Sequence, residues 1–202
     1  LEGVRYVARE PIFAALIPLT YCTMLLGTSF IQIMPSIAEV LGAEEVGYGA
    51  LISATGLGSI LGTVLIGAYQ RSPHLGWIML IGVGLTALSL QAFGVVSALG
   101  ATWVYLALAL LCALAMGLFS AVYLIASMTV LQLRVPDALR GRVMALHGIT
   151  YSLIPLGGLI GGAVAEIASP PIAVFLNATL LLIVVIALAL GRPAIRDLSG
   201  VE

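Results

Sequence analysis

Long apolar stretches alternate with short polar segments along this chain. Six such stretches predict six helices, at residues 12–38, 46–70, 77–96, 102–133, 143–168 and 172–190. Each approaches or exceeds the roughly 20 residues that a helix needs to cross about 30 Å of hydrocarbon. The pattern therefore predicts an all-α membrane protein, with residues 1–202 forming a single domain of six transmembrane helices, 1–11 a lead-in and 191–202 a tail.

The polar segments are sorted by charge. All eight basic residues are arginines, and all lie in the alternate segments that include both termini: Arg5, Arg9, Arg71, Arg134, Arg140, Arg142, Arg192 and Arg196. The other set carries carboxylates, such as Glu39, Glu44 and Glu45 after the first stretch. Since arginine-rich segments stay on the cytoplasmic side, we expect both termini to be cytoplasmic in a bacterial cytoplasmic membrane.

Composition agrees with a membrane location. The chain has 61% hydrophobic and 8% charged residues, against about 25% charged residues in soluble domains. Separated charges argue against nucleic-acid binding. Cys22 and Cys112 lie in apolar stretches without metal-ligand spacing, so we expect no metal and no cofactor. The first residue is Leu1 rather than methionine, so we expect the sequence to be part of a longer protein.

The six stretches form two triplets that are similar in length and glycine content. In each triplet the first member is long and the second is glycine-rich, and three spans invert the orientation of whatever follows. Inverted three-helix repeats build many secondary transporters.

Polar side chains recur at helical spacing within the spans. Stripes of this kind on tilted helices could line a substrate pathway near the midplane, or could simply join helices by hydrogen bonds. His147 could be a proton site or a satisfied structural histidine. The candidate pathway residues form one stripe in each of three spans: Tyr21, Thr28 and Gln32 in the first, Ser120 and Tyr123 in the fourth, and His147 and Tyr151 in the fifth.

Glycines four residues apart allow two helix backbones to approach closely in lipid. We assign these pairs to contact with a partner domain, although they could all pack within the chain: Gly58 and Gly62, Gly157 and Gly161, Gly158 and Gly162. In the second span, Gly49, Ser53, Gly56, Thr63 and Gly67 form one stripe, and Gly58 and Gly62 lie roughly opposite it. The run Pro-Leu-Gly-Gly at 155–158 predicts a bend or a packing accommodation.

Charged residues cluster between the fourth and fifth spans. Arg134, Asp137 and Arg140 recur every three residues, and Arg142 follows. On one helix they would form reciprocal ion pairs that lock one conformation. The alternative is topogenic charge that contacts lipid phosphate.

An enzyme is not expected. A serine protease would need Ser59 and His147 as nucleophile and base, but the surrounding TGLGSILG lacks the usual context. No phosphate-binding loop, dinucleotide fingerprint or zinc motif is present in the sequence.

Three segments carry a resemblance to a known family: GVRYVAREPIFAAL, LGAEEVGYGALISATGLGSILGTVLIG, and VPDALRGRVMAL with PLGGLIGG. Together they resemble the carboxy-terminal six-helix half of a major facilitator superfamily transporter, in the branch of enterobactin-exporter-like proteins. The resemblance implies a small-molecule substrate between this half and an amino-terminal six-helix half, with spans one, two, four and five facing the cavity. Lipid surrounds such a protein. The loop GAYQRSPHLG lacks the aspartate of the family motif, so coupling residues are expected mostly in the other half.

We therefore expect the second half of a secondary active carrier that exports a small or amphipathic molecule by alternating access. A scaffold subunit that transports nothing, or a half-size carrier that works as a homodimer, remains an alternative.

Overall fold

A computed structural model describes residues 2–70 and 72–191, apart from the side chains of residues 2 and 44. Arg71, Arg192, Arg196 and the predicted tail after residue 191 lie outside the described residues. Over the described ranges short turns join eleven helical segments, and there is no strand: α1 (Glu2–Arg9), α2 (Pro11–Cys22), a π-helical segment (Thr23–Thr28), α3 (Phe30–Val40), α4 (Glu44–Tyr69), α5 (Leu75–Ala98), α6 (Trp103–Arg134), α7 (Asp137–Gly148), a 3₁₀ segment (Ile149–Ser152), α8 (Leu153–Ile167) and α9 (Pro170–Gly191).

Among the described residues, six helical runs are long and apolar enough to cross a membrane. They are Pro11–Val40, Glu45–Tyr69, Leu75–Ala98, Trp103–Arg134, Asp137–Ile167 and Pro170–Gly191. The predicted fold class is thereby confirmed. The fifth span begins at Asp137, six residues before the prediction of 143, because Pro136 supplies the extended backbone that precedes a new helix.

Contacts between the ends of the spans show which connecting segments lie on the same side of the helix bundle. Gly3 in α1 packs against Arg142 in α7, with 2.9 Å between an added Cβ and that of the arginine. On the opposite side, Gly42 packs against Ala101. The arginine-bearing segments α1 and α7 thus lie together, as the alternation predicts, while the compartment that they face stays a prediction.

The helices form a closed ring around two apolar clusters. Going round, α4 packs on α6, α6 on α5, α5 on α9, α9 on α8, α8 on the first span, and α3 on α4. One cluster, toward the arginine side, contains Phe13, Leu16 and Val143. The other contains Phe30, Ile33 and Phe93.

Two spans depart from regular α-helix. The first widens into the π-helical segment, which the sequence did not predict. In the fifth, α8 runs unbroken through residues 155–158, and the irregular turn is the 3₁₀ segment before it. The prediction of a bend at residues 155–158 is thus corrected: the irregular backbone is at Ile149–Ser152. Pro155 has no N–H to donate to the carbonyl of Tyr151, and its ring crowds that carbonyl, so the turn that precedes the proline changes its hydrogen bonding.

Candidate functional site

A cleft lies at mid-span between the first, second and fourth spans. Its volume is about 190 Å³. The π-helical segment and the start of α3 form one wall, α4 another and α6 the third, with Thr86 of α5 at one point of the lining. The lining residues are Gly27, Thr28, Phe30, Ile31, Thr55, Gly56, Ser59, Thr86, Met116, Gly117, Ser120, Ala121 and Leu124. The cleft is therefore apolar, with hydroxyl groups and no charged side chain among its lining residues.

Most hydroxyl protons in the cleft are already used within their own helices. Thr55 donates to the carbonyl of Leu51 at 2.9 Å, and Ser59 donates to that of Gly56 at 2.8 Å. Thr86 donates to Gly82 at 2.9 Å, and Thr28 to the sulfur of Met24 at 3.7 Å. These oxygens keep lone pairs that can accept a hydrogen bond.

Ser120 differs from its neighbours in the cleft. Within the described part of the chain its hydroxyl makes no hydrogen bond, and its side chain is half-buried. It can both donate to and accept from a molecule in the cleft.

Two of the predicted pathway residues, Thr28 and Ser120, meet in this cleft. Tyr21 and Gln32, predicted on the same stripe as Thr28, face the fifth span instead. The hydroxyl of Tyr21 donates to the carbonyl of Leu146 at 2.8 Å, and Gln32 packs against Gly158. A π turn holds more residues than an α turn, so positions beyond it rotate away from the face that a regular helix would give.

The three other predicted pathway residues are not brought together. Tyr123 is fully enclosed in the core, where its hydroxyl lies 2.8 Å from that of Thr20. His147 is buried, and its Nδ1 has no hydrogen-bond partner within the described chain. Tyr151 is exposed on the surface of the described chain, with a relative exposure of 60%. The 3₁₀ segment between His147 and Leu153 breaks the regular face that the prediction assumed.

The glycine pair of the second span packs within this chain. A Cβ at Gly58 would strike the carbonyl of Leu114, and one at Gly62 would strike that of Leu118. Gly117 of α6 returns the contact, because its Cβ would strike the carbonyl of Thr55. The prediction that Gly58 and Gly62 contact a partner domain is therefore wrong: they form a close α4–α6 contact.

Glycines of the fifth span pack on the first. A Cβ at Gly157 would meet the carbonyl of Leu25, one at Gly158 would meet Gln32 at 2.5 Å, and one at Gly161 would meet Ile33 at 2.7 Å. The partner-domain prediction is also wrong for Gly157, Gly158 and Gly161. It stays a prediction for Gly162, around which there is open space within 4 Å.

One face of α4 has no neighbour in the described chain. Gly49, Gly56 and Gly67 have open space within 4 Å, and Ser53 and Thr63 on the same stripe are exposed. Gly56 also lines the cleft, so the cleft and this open face adjoin.

Comparison with known proteins decides the family. The family model of the Major Facilitator Superfamily matches residues 16–199. The chain belongs to the major facilitator superfamily. A curated relative is the enterobactin exporter EntS of Shigella flexneri, which is 26% identical over 175 residues, covering 84% of this chain and 39% of the relative. The chain thus spans well under half of that relative's length. No solved structure matches significantly.

The superfamily is one of membrane transporters, and its proteins are generally not enzymes. Ser59, weighed in the sequence as a nucleophile, donates its proton to the carbonyl of Gly56 rather than to a base. It lies in the cleft with Thr55, which sequence reasoning missed as a lining residue. The signal was available, since residues four apart share a helix face and both are hydroxyl residues in a glycine-rich span.

The charge cluster is split by the chain path. Arg134 ends α6, and a new helix begins at Asp137. Within that helix Asp137 and Arg140 form an ion pair at 2.7 Å, with the side chain of Asp137 88% exposed. Arg142 lies further along α7, against Gly3. The predicted single face with Arg134, Asp137 and Arg140 is therefore wrong, because the three residues do not share one helix.

Proposed function

We propose that this chain is the carboxy-terminal half of a secondary active carrier that exports a small or amphipathic molecule by alternating access. The observation that carries the proposal is the mid-span cleft with Thr28 and Ser120, which adjoins an open face of α4. Superfamily membership supports transport, and the likeness to an exporter supports its direction.

An amino-terminal six-helix half completes the carrier in this proposal. The open face of α4 at Gly49, Gly56 and Gly67 is where its helices approach, because small residues allow close backbone contact in lipid. Movement of one half against the other exposes the cleft alternately to each side of the membrane. In this proposal the arginine-bearing ends of the spans lie on the inward side. Binding that differs in strength between the two states shifts their populations.

Export can be tested with the full-length protein that contains this chain. A bacterial host lacking its own enterobactin exporter produces the protein, and enterobactin released into the medium is measured against that of host cells without it. We expect release to recover. No release by protein that is present in the membrane would count against an enterobactin exporter, and a screen with other amphipathic compounds that also failed would end the transport proposal.

Contact of the two halves needs its own variants. Gly67→Leu adds bulk to the open face of α4 away from the cleft. Gly84→Leu adds the same side chain to α5, the third span, which is predicted to face away from the other half. We expect Gly67→Leu to abolish release and Gly84→Leu to reduce it little, with both proteins inserted equally. Normal release by Gly67→Leu would contradict the assignment of this face.

A further inference from the structure

We propose that the mid-span cleft binds an uncharged ligand through a hydroxyl group attached to an apolar body, with Ser120 as the side chain that selects for that hydroxyl. The inference rests on the proposed function, since it names the chemical class of the carrier's substrate at this site.

Charge is excluded by what surrounds the cleft. Its lining residues include five hydroxyl side chains and no acid or base. An ion placed among these lining residues would lose hydration and gain no counter-charge from them. A ligand whose ionised group lies in the cleft is therefore disfavoured.

Hydrogen bonding selects a hydroxyl rather than a simple acceptor or donor. Thr55 and Ser59 have committed their protons to carbonyl groups, so they present lone pairs that accept. Ser120 keeps a proton to donate. A ligand hydroxyl can accept from Ser120 while it donates to Thr55 or Ser59, and thereby satisfies both sides of the cleft.

The remaining lining suits an apolar body. Phe30, Ile31, Met116 and Leu124 contribute aromatic, aliphatic and thioether surface. Methionine adapts its shape to different ligands. Gly56 leaves open space at the entrance where any larger side chain would intrude.

Equilibrium binding of matched naphthalene probes to the purified full-length protein tests this class. The probes are 2-naphthol, which is un-ionised at neutral pH, its methyl ether and naphthalene-2-sulfonate, each measured by dialysis against protein-free micelles. We expect saturable binding of 2-naphthol, about fivefold weaker binding of the ether, which loses one hydrogen bond of about 1 kcal/mol, and at least tenfold weaker binding of the sulfonate. Sulfonate that binds as tightly as 2-naphthol, or 2-naphthol that does not bind, would overturn the proposal.

Variants place the probe in the cleft. Ser120→Ala should weaken 2-naphthol binding about fivefold, and Ser120→Thr, which keeps the hydroxyl, should restore most of it. Gly56→Leu should remove binding by filling the cleft, while Gly148→Leu, also in open space but outside the cleft, should leave it unchanged. Binding that Ser120→Ala and Gly56→Leu both leave intact would place the probe elsewhere and refute the inference. Because binding at equilibrium needs no transport, a protein that binds 2-naphthol in this way but exports nothing would refute the proposed function alone.

Discussion

Replacing single glycines of α4 by alanine tests the close contact with α6. Gly56 and Gly58 lie two residues apart in the same helix, but a Cβ at Gly56 meets open space while one at Gly58 would strike the carbonyl of Leu114. Alanine is favoured over glycine inside a helix by about 0.8–1 kcal/mol. Gly56→Ala should therefore leave the protein as stable as before or stabilise it by up to that amount.

The same change at Gly58 should destabilise. Its added methyl group must push α4 away from α6, and overpacking of this kind costs about 1–3 kcal/mol. Because the gain in helix propensity is common to both substitutions, Gly58→Ala and Gly56→Ala should differ by the overpacking cost, about 1–3 kcal/mol in the free energy of unfolding. Gly117→Ala, which strikes the carbonyl of Thr55 from the other helix, should resemble Gly58→Ala.

Unfolding of the purified protein by SDS in mixed micelles, followed by far-ultraviolet circular dichroism, gives these free energies. If Gly58→Ala and Gly117→Ala unfolded at the same SDS fraction as Gly56→Ala, the close α4–α6 contact would be refuted.

Three further changes give distinct outcomes. Thr20 donates to the carbonyl of Leu16 at 2.9 Å, so the hydroxyl of Tyr123 must be the donor in their shared hydrogen bond. Thr20→Val removes this acceptor but leaves Thr23 beside the Tyr123 hydroxyl, so it should cost about 1 kcal/mol in SDS unfolding, and a loss of about 3 kcal/mol would show that Thr23 does not replace it. Gln91 donates to Thr179 at 3.0 Å between α5 and α9, so Gln91→Leu should lower the unfolding free energy by about 0.6 kcal/mol, and a rise would mean that the amide hinders packing. Asp137→Asn removes only an exposed ion pair, so thermal unfolding in detergent should change by less than that of Gly58→Ala, and a larger loss would give the pair a structural role.

The six spans were predictable because they follow from composition over long windows. Hydropathy and helix length depend on sums over about 20 residues, and the alternation of arginines needs no knowledge of packing. The starts and ends that the structure gives, such as Trp103–Arg134, accordingly lie close to those of the prediction.

Side-chain partners were less predictable because they depend on rotation about each helix axis. The π-helical segment Thr23–Thr28 carries no obvious sequence signal, yet it separates Thr28 from Gln32. Glycine spacing shows that a backbone can be approached, but not by which helix. Gly58 and Gly56 are the same residue type in one span, and only the position of α6 assigns one to the interior and the other to the cleft.

The close contact between α4 and α6 also constrains the order of assembly. Spans emerge from the ribosome in sequence, and the second span's glycine face fits a helix that is two spans away. Until the fourth span has entered the bilayer, Gly58 and Gly62 face lipid or a temporary neighbour, such as a helix of the insertion machinery. A nascent chain halted after Ala98 should therefore hold its second span loosely, and completion of the fourth span should be the step at which this part of the protein becomes resistant to proteolysis.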